Sequence, residues 1–249
     1  MNRTRAAATH LAISATLIAL VFLMIFFIWY PEPLFDYAGG RTLFLFLLAV
    51  DLVVGPLITF IIFVPGKRGL VFDLWVIGIL QTAFLAYGVW SVAEARPVFI
   101  AFVKDRFELA RANQTPDSVL EDAHLDRYLD FPWTGPRVVG VRFPTEADAK
   151  FNLLVSGLGG VDIQSYPQYH VPYDAEVRKQ VVARAAPLKK LEAYNKGLSS
   201  AALAASLGRA ENDVRFLPLR AGPVDLTVLV DARNGDILKL AALKPWEYE

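Results

Sequence analysis

Three histidines, His10, His124 and His170, are the side chains best suited to proton transfer near neutral pH, and no cysteine is present to serve as a thiol nucleophile or soft metal ligand. His170 could be oriented as a general base by Asp162 or Asp174. Its setting, Tyr166-Pro167-Gln168-Tyr169-His170-Val171-Pro172-Tyr173, reads instead as a packed aromatic loop. No HExxH, GxSxG, P-loop or GxGxxG pattern occurs. Two carboxylate-bearing turns remain. Asp162 follows Gly159-Gly160, but calcium needs six to eight oxygen ligands, so a capping aspartate is the better reading. Asp231-Ala232-Arg233-Asn234-Gly235-Asp236 is richer in oxygens, yet Asn-Gly supplies the positive φ angles of a tight hairpin. The expectation is a protein that is not an enzyme and that holds no metal and no cofactor.

The more demanding polar group is Asp51, which stands inside an otherwise uncharged apolar run from Leu43 to Val64. A carboxylate at the centre of a membrane helix costs roughly 2.5–3.5 kcal/mol on insertion scales, so it requires a partner, a proton or a water-filled cavity. Asp51 lies 16 residues before Lys67 and Gln81 lies 14 after it, which puts the two at similar depth in a helical hairpin turning at Lys67. A hydrogen bond between them would be interhelical glue. The functional alternative is a contact for another membrane helix. Pro56 in Gly55-Pro56 removes a backbone N–H and frees a carbonyl around Leu52, so Asp51, Gly55, Pro56 and Gln81 together outline a polar notch that could bind a partner helix.

Those residues need membrane helices to position them. The chain has 249 residues, 25 basic and 25 acidic, and 55% hydrophobic residues, above the usual 45–50%. Residues 1–92 hold only nine of the 50 charged side chains. Uncharged or nearly uncharged runs cover about 11–30, 43–64 and 74–92, each long enough to cross the hydrocarbon core at about 20 residues per span. A secretory signal is the competing reading of the first run, but Phe26-Phe27-Ile28-Trp29-Tyr30-Pro31 lacks a small-residue cleavage site and ends in an aromatic anchor. Arg3, Arg5, Lys67 and Arg68 fall on one side of the membrane against Arg41 on the other, which predicts a cytoplasmic N-terminus. Residues 93–249 then lie outside the cytoplasm, in the periplasm if the cell is a bacterium. A zero net charge gives no case for nucleic-acid binding.

The back half reads as one soluble α+β domain. Pro97–Val103 and Arg106–Ala110, joined by Lys104-Asp105, predict a hairpin, with a continuation of the third membrane helix as the alternative. Helices are predicted from Pro116 to about Tyr128, from a Thr145 cap to Leu158, and from Ala175 to Tyr194 with a kink at Pro187. A short one opens at Ser199 or Ser200 and closes at Gly208. Strands return at Val214–Leu219, Asp225–Val230 and Ile237–Leu240, the last two paired through Asn234-Gly235. The fold class is thus a membrane protein with three transmembrane α-helices followed by a soluble α+β domain.

Several strings resemble one known family. Tyr30-Pro31-Glu32-Pro33-Leu34-Phe35, Asp51 with Gly55-Pro56-Leu57, and Phe72-Asp73-Leu74 leading to Gln81 and Tyr87-Gly88 are similar to the membrane half of the TfpX/TfpZ type IV pilin accessory proteins. Ala95-Arg96-Pro97-Val98, Asp105-Arg106-Phe107, Trp133-Thr134-Gly135-Pro136-Arg137 and Pro245-Trp246 extend the resemblance over nearly the whole chain. It implies a multi-pass protein of the bacterial inner membrane that assists type IV pilus biogenesis as a pilin-specific chaperone or stabiliser. The implied partners are the major type IV pilin and the pilus assembly machinery, with the lipid bilayer around the helices. The family offers no established catalytic residues to carry over. An envelope sensor or peptide-binding membrane receptor is the alternative, although the predicted cytoplasmic parts are too short for a signalling domain.

Overall fold

The computed structural model describes residues 2–115, 131–222 and 224–247. The helix predicted from Pro116 to Tyr128, and His124 with it, lies outside the described residues. Three helical stretches are long and apolar enough to cross a membrane: Arg3–Trp29, Gly40–Ile62 and Leu70–Glu94. The first is α1 (Arg3–Met24), prolonged by a π-helical turn at Ile25–Trp29. A short α2 (Leu34–Tyr37) leads into α3 (Gly40–Ala49), which passes through a second π-helical turn, Val50–Val54, into α4 (Gly55–Ile62). The third stretch is α5 (Leu70–Glu94), and Lys67 Nζ reaches Asp73 at 2.6 Å beside the turn before it. Most apolar side chains of these helices point outward, as lipid-facing side chains must.

The break at Val50–Val54 has a local cause. Pro56 has no N–H to donate to Leu52, and the Gly55 N–H reaches back five residues to the Val50 carbonyl. One extra residue is thereby accommodated without interrupting the helix.

After Glu94 the chain turns at once into strand. β1 (Pro97–Val103) and β2 (Arg106–Arg111) form the expected hairpin about Lys104-Asp105, and the helical alternative is not realised. β3 (Arg137–Val141) pairs parallel with β1, followed by α6 (Ala147–Leu158), β4 (His170–Pro172) and α7 (Ala175–Arg184). Next come β5 (Ala186–Pro187), a one-turn α8 (Leu191–Tyr194) and α9 (Ser200–Ser206), which Ser199 caps by accepting from the Ala202 N–H. β6 (Val214–Arg220), β7 (Leu226–Asp231) and β8 (Ile237–Ala241) close one mixed sheet in the order β4-β3-β1-β2-β6-β7-β8, with β5 on β6. The β7–β8 turn is the expected one, with Gly235 at φ 74°.

Every residue of β1 is buried, as a central strand covered on both faces requires. Alternation divides it. Phe99, Ala101 and Val103 pack on one face with Ile163 and Leu153 of α6, whereas Ile100 and Phe102 pack on the other with Val177 and Val181 of α7. That second cluster continues into Val92, Ala93, Trp29, Tyr30 and Leu34, so the core runs from the sheet into the membrane helices.

Two expectations are corrected. The helix from Ala175 to Tyr194 is not continuous but stops at Arg184. Pro187 disfavours a helical Ala186, and Ala186-Pro187 instead pair with Phe216 and Arg215 at the sheet. The apolar row along that predicted helix therefore feeds two cores, Val177, Val181 and Ala185 in one and Leu188 and Leu191 in another. The Thr145 cap is also not formed, since Glu146 occupies the N-cap position of α6 without a side-chain hydrogen bond.

Candidate functional site: a polar notch among the membrane helices

Asp51 sits in the π-helical turn and is 4% exposed. Gly55 follows one turn later. A Cβ there would overlap the Gln81 amide of α5, so glycine is what lets Gln81 come close to the helix carrying Asp51. The predicted hydrogen bond between Asp51 and Gln81 is nevertheless absent: Asp51 Oδ2 and Gln81 Nε2 are both buried without a hydrogen-bond partner among the described residues. The two line one cavity without bonding to each other, so matched depth brought them to the same place but did not pair them. The four residues still come together, with Pro56 setting the break, Gly55 giving space, and Asp51 and Gln81 presenting unpaired polar atoms.

On the α1 side, Asp51 and Gln81 line a cavity of about 370 Å³ between α1, α4 and α5. Thr9, His10, Ser14, Thr59 and Thr82 supply the rest of its polar wall. His10 Nδ1 lies 2.5 Å from Thr59 Oγ1 and ties α1 to α4. None of these five was assigned to the notch from the sequence, where His10 stands only as a histidine beside the first span. The available signal was that His10 and Ser14 fall one turn apart on α1, which aligns them on one face.

On the other side, α3, the π turn and α4 form an open groove with α5. One part, about 310 Å³, is lined by Val54, Gly55, Ile58, Ile62, Leu80 and Gln81. The next, about 220 Å³, is lined by Leu43, Leu47, Val50, Asp51, Phe84 and Gly88. The two parts share Val50 and Phe84. From Leu43 to Ile62 the groove follows about 28 Å of helix at 1.5 Å per residue, close to the roughly 30 Å of the hydrocarbon core. Asp51 and Gln81 line both cavity and groove, so they form the partition between them. The arrangement can pack an apolar helix along its full membrane length and meet one polar group near the middle.

His170, Asp174 and Asp231 of the soluble part have structural roles. His170 is 3% exposed, with Nε2 at 2.9 Å from the Gln164 carbonyl and the Phe99 ring edge-on at 4.6 Å. Burial lowers its pKa to about 4, which keeps it neutral at pH 7. Asp174 caps α7 by accepting from the Glu176 and Val177 N–H groups. Asp231 meets Arg209 at 3.2 Å and accepts from the Arg233 N–H within the hairpin turn. Among the described residues no group of three or more His, Asp and Glu side chains is placed to hold a metal ion.

Comparison with known proteins adds a lineage to this geometry. Residues 1–39 match the family model for the fimbrial assembly protein FimB. The chain is 31% identical over 172 residues to a fimbrial assembly protein of serogroup I from Dichelobacter nodosus, covering 68% of this chain and 66% of that one. It is 30% identical over 158 residues to the serogroup E1 protein of the same organism, covering 63% and 61%. The matched region is thus a little under two thirds of either relative. A third relative, the fimbrial assembly protein of serogroups C1 and C2, is 35% identical over 102 residues, which cover 40% of this chain and 78% of the relative. No solved structure matches. Because this third relative, 35% identical, is covered over 78% of its length, the chain belongs to the family of fimbrial assembly proteins.

Proposed function

We propose that this protein is an inner-membrane accessory factor of type IV fimbrial biogenesis that holds the fimbrial subunit before assembly, as a chaperone or stabiliser rather than as an enzyme. The observation that carries the reading is the membrane-length groove whose wall contains the buried, unpaired Asp51. An isolated carboxyl is costly in hydrocarbon and is retained where a partner or a cavity uses it. The names of the relatives supply the process, and the TfpX/TfpZ resemblance agrees with it. The subunit's apolar membrane helix is the partner that such a groove fits. Arg3, Arg5, Lys67 and Arg68 support an orientation with the N-terminus in the cytoplasm and the sheet in the periplasm.

The test is site-specific photocrosslinking in cells from Val54, which lines the groove and tolerates a bulky probe as Gly55 would not. Capture of the major fimbrial subunit through its membrane helix is the expected result. Absence of the subunit from the products of a well-expressed, fimbriated strain would overturn the reading.

A further inference from the structure

The polar side chains on the α1 side of Asp51 form a line rather than a patch. The cavity that holds them begins at Ala6 and Phe63, where α1 starts and α4 ends, and Arg3 Nε donates to the Phe63 carbonyl there at 2.9 Å. Arg3 and the Lys67 turn mark that end as a membrane face. The cavity closes beside Ile18, Asp51 and Leu85. From Ala6 to Ile18 is about 18 Å of helix at 1.5 Å per residue, more than half of the roughly 30 Å hydrocarbon core. Along that length His10 and Thr59 come first, Ser14, Gln81 and Thr82 stand about one turn further in, and Asp51 is last.

The chemistry of the lining selects the occupant. Asp51 is 4% exposed, and its Oδ2 and the Gln81 Nε2 are buried with no hydrogen-bond partner among the described residues. One needs a donor and the other an acceptor, and an acyl chain in the cavity would offer neither. Water offers both. About 370 Å³ holds on the order of ten water molecules at roughly 30 Å³ each. Successive polar groups on α1 are one turn apart, about 6 Å, a gap that a single water can bridge. Ile13 and Leu17, both exposed, form the rim toward the lipid.

We infer that this cavity is a water-filled inlet, open at the membrane face that carries Arg3 and Lys67, which brings water and small hydrophilic solutes to the Asp51 carboxyl in mid-membrane. A carboxyl at that depth needs solvation, and the inlet supplies it from one side of the partition that Asp51 and Gln81 form. The groove meets the same partition from the other side, and the inlet stands whether or not the groove takes a helix.

The chain contains no cysteine, so single cysteines in the full-length protein report water one position at a time. Ser14→Cys, Thr82→Cys and Asp51→Cys sample the inlet. Arg68→Cys, exposed at the turn, marks the entry side, and Ile79→Cys, exposed on α5 but outside the cavity lining, is the dry control. A small, charged, membrane-impermeant methanethiosulfonate is added to either face of sealed membrane vesicles. It attacks thiolates, which form in water and not in hydrocarbon. The expected result is modification at positions 14, 82 and 51 from the same face as Arg68→Cys, at least about tenfold faster than Ile79→Cys. Rates no greater than that of Ile79→Cys overturn the inlet and leave a cavity closed to water. Reaction at 14 and 82 but not at 51, with the thermal midpoint of Asp51→Cys unchanged, overturns its reach to the carboxyl. Reaction only from the face opposite Arg68→Cys overturns its entry side. Ser14→Cys and Thr82→Cys leave Asp51 in place, so a misfolded Asp51→Cys does not decide the outcome. None of these results alters what photocrosslinking from Val54 captures, so the inlet and the proposed function fail separately.

Discussion

Replacing Asp51 by leucine separates a structural role for the carboxyl from a binding one. If Asp51 were glue between helices, its loss would break a hydrogen bond and destabilise the protein by about 1–2 kcal/mol. Its Oδ2 has no partner, however, and a cavity of about 370 Å³ adjoins it to receive a larger side chain. Removing an unpaired carboxyl from the hydrocarbon region should return part of its roughly 2.5–3.5 kcal/mol insertion cost. Asp51→Leu is therefore expected to be as stable as the parent or more so, by up to about 3 kcal/mol, while fimbrial subunit levels and surface fimbriae fall. Each kcal/mol moves the midpoint of a chain of this size by about 2–4 °C. Thermal unfolding of the detergent-solubilised protein, followed by intrinsic tryptophan fluorescence, and immunoblotting of the subunit in the same strain are the paired measurements. A midpoint lowered by several degrees, or normal fimbriation with the variant present at parental levels, would refute the argument.

Gly55→Ala should cost about 1–3 kcal/mol by forcing its Cβ into the Gln81 amide, and Gln81→Ala should relieve most of that cost, which a double-mutant cycle of thermal midpoints checks. His170 is held neutral in the fold with a pKa near 4, against about 6.5 unfolded, so the stability it contributes is complete above pH 6.5. That contribution, about 3 kcal/mol, is lost as pH falls from 6.5 to 4, because the unfolded chain takes up the proton first. Denaturation of the full-length protein at a series of pH values should show the slope, and His170→Gln should flatten it over that window.

Much of this was readable from residue order. Uncharged length set the three spans, Lys104-Asp105 and Asn234-Gly235 set two hairpins, and the small, charged turn at Lys67 set the antiparallel pairing of the second and third spans. What stayed hidden depended on distant partners or on angle. The parallel pairings of β1 with β3 and of β2 with β6 join segments that no local pattern connects. Ala186-Pro187 leaves the helix because β6 is there to receive it. The notch was found by residue type, but the relation of Asp51 to Gln81 was not, since counting residues gives height in the membrane and says nothing about rotation. Phe151, Leu154 and Leu158 revealed the helix α6 by their spacing, but the same spacing serves an inward or an outward row and did not say that these side chains would be exposed.

The junction between helices and sheet gives the protein a fixed posture. The Tyr30 hydroxyl donates to the Ala95 carbonyl at 2.8 Å, and Arg96 donates to the Ala93 carbonyl at 2.6 Å while lying 4.3 Å over Trp133, which in turn rests on Trp29. Arg111 bridges the Ala38 and Ala221 carbonyls. Only Ala95 and Arg96 separate α5 from β1, and both are fastened. The sheet domain therefore does not hang on a tether; its height and heading above the bilayer are inherited from the helices. Any molecule that touches both parts meets a gauge of set length, and a change at this joint alone would alter its reach or heading.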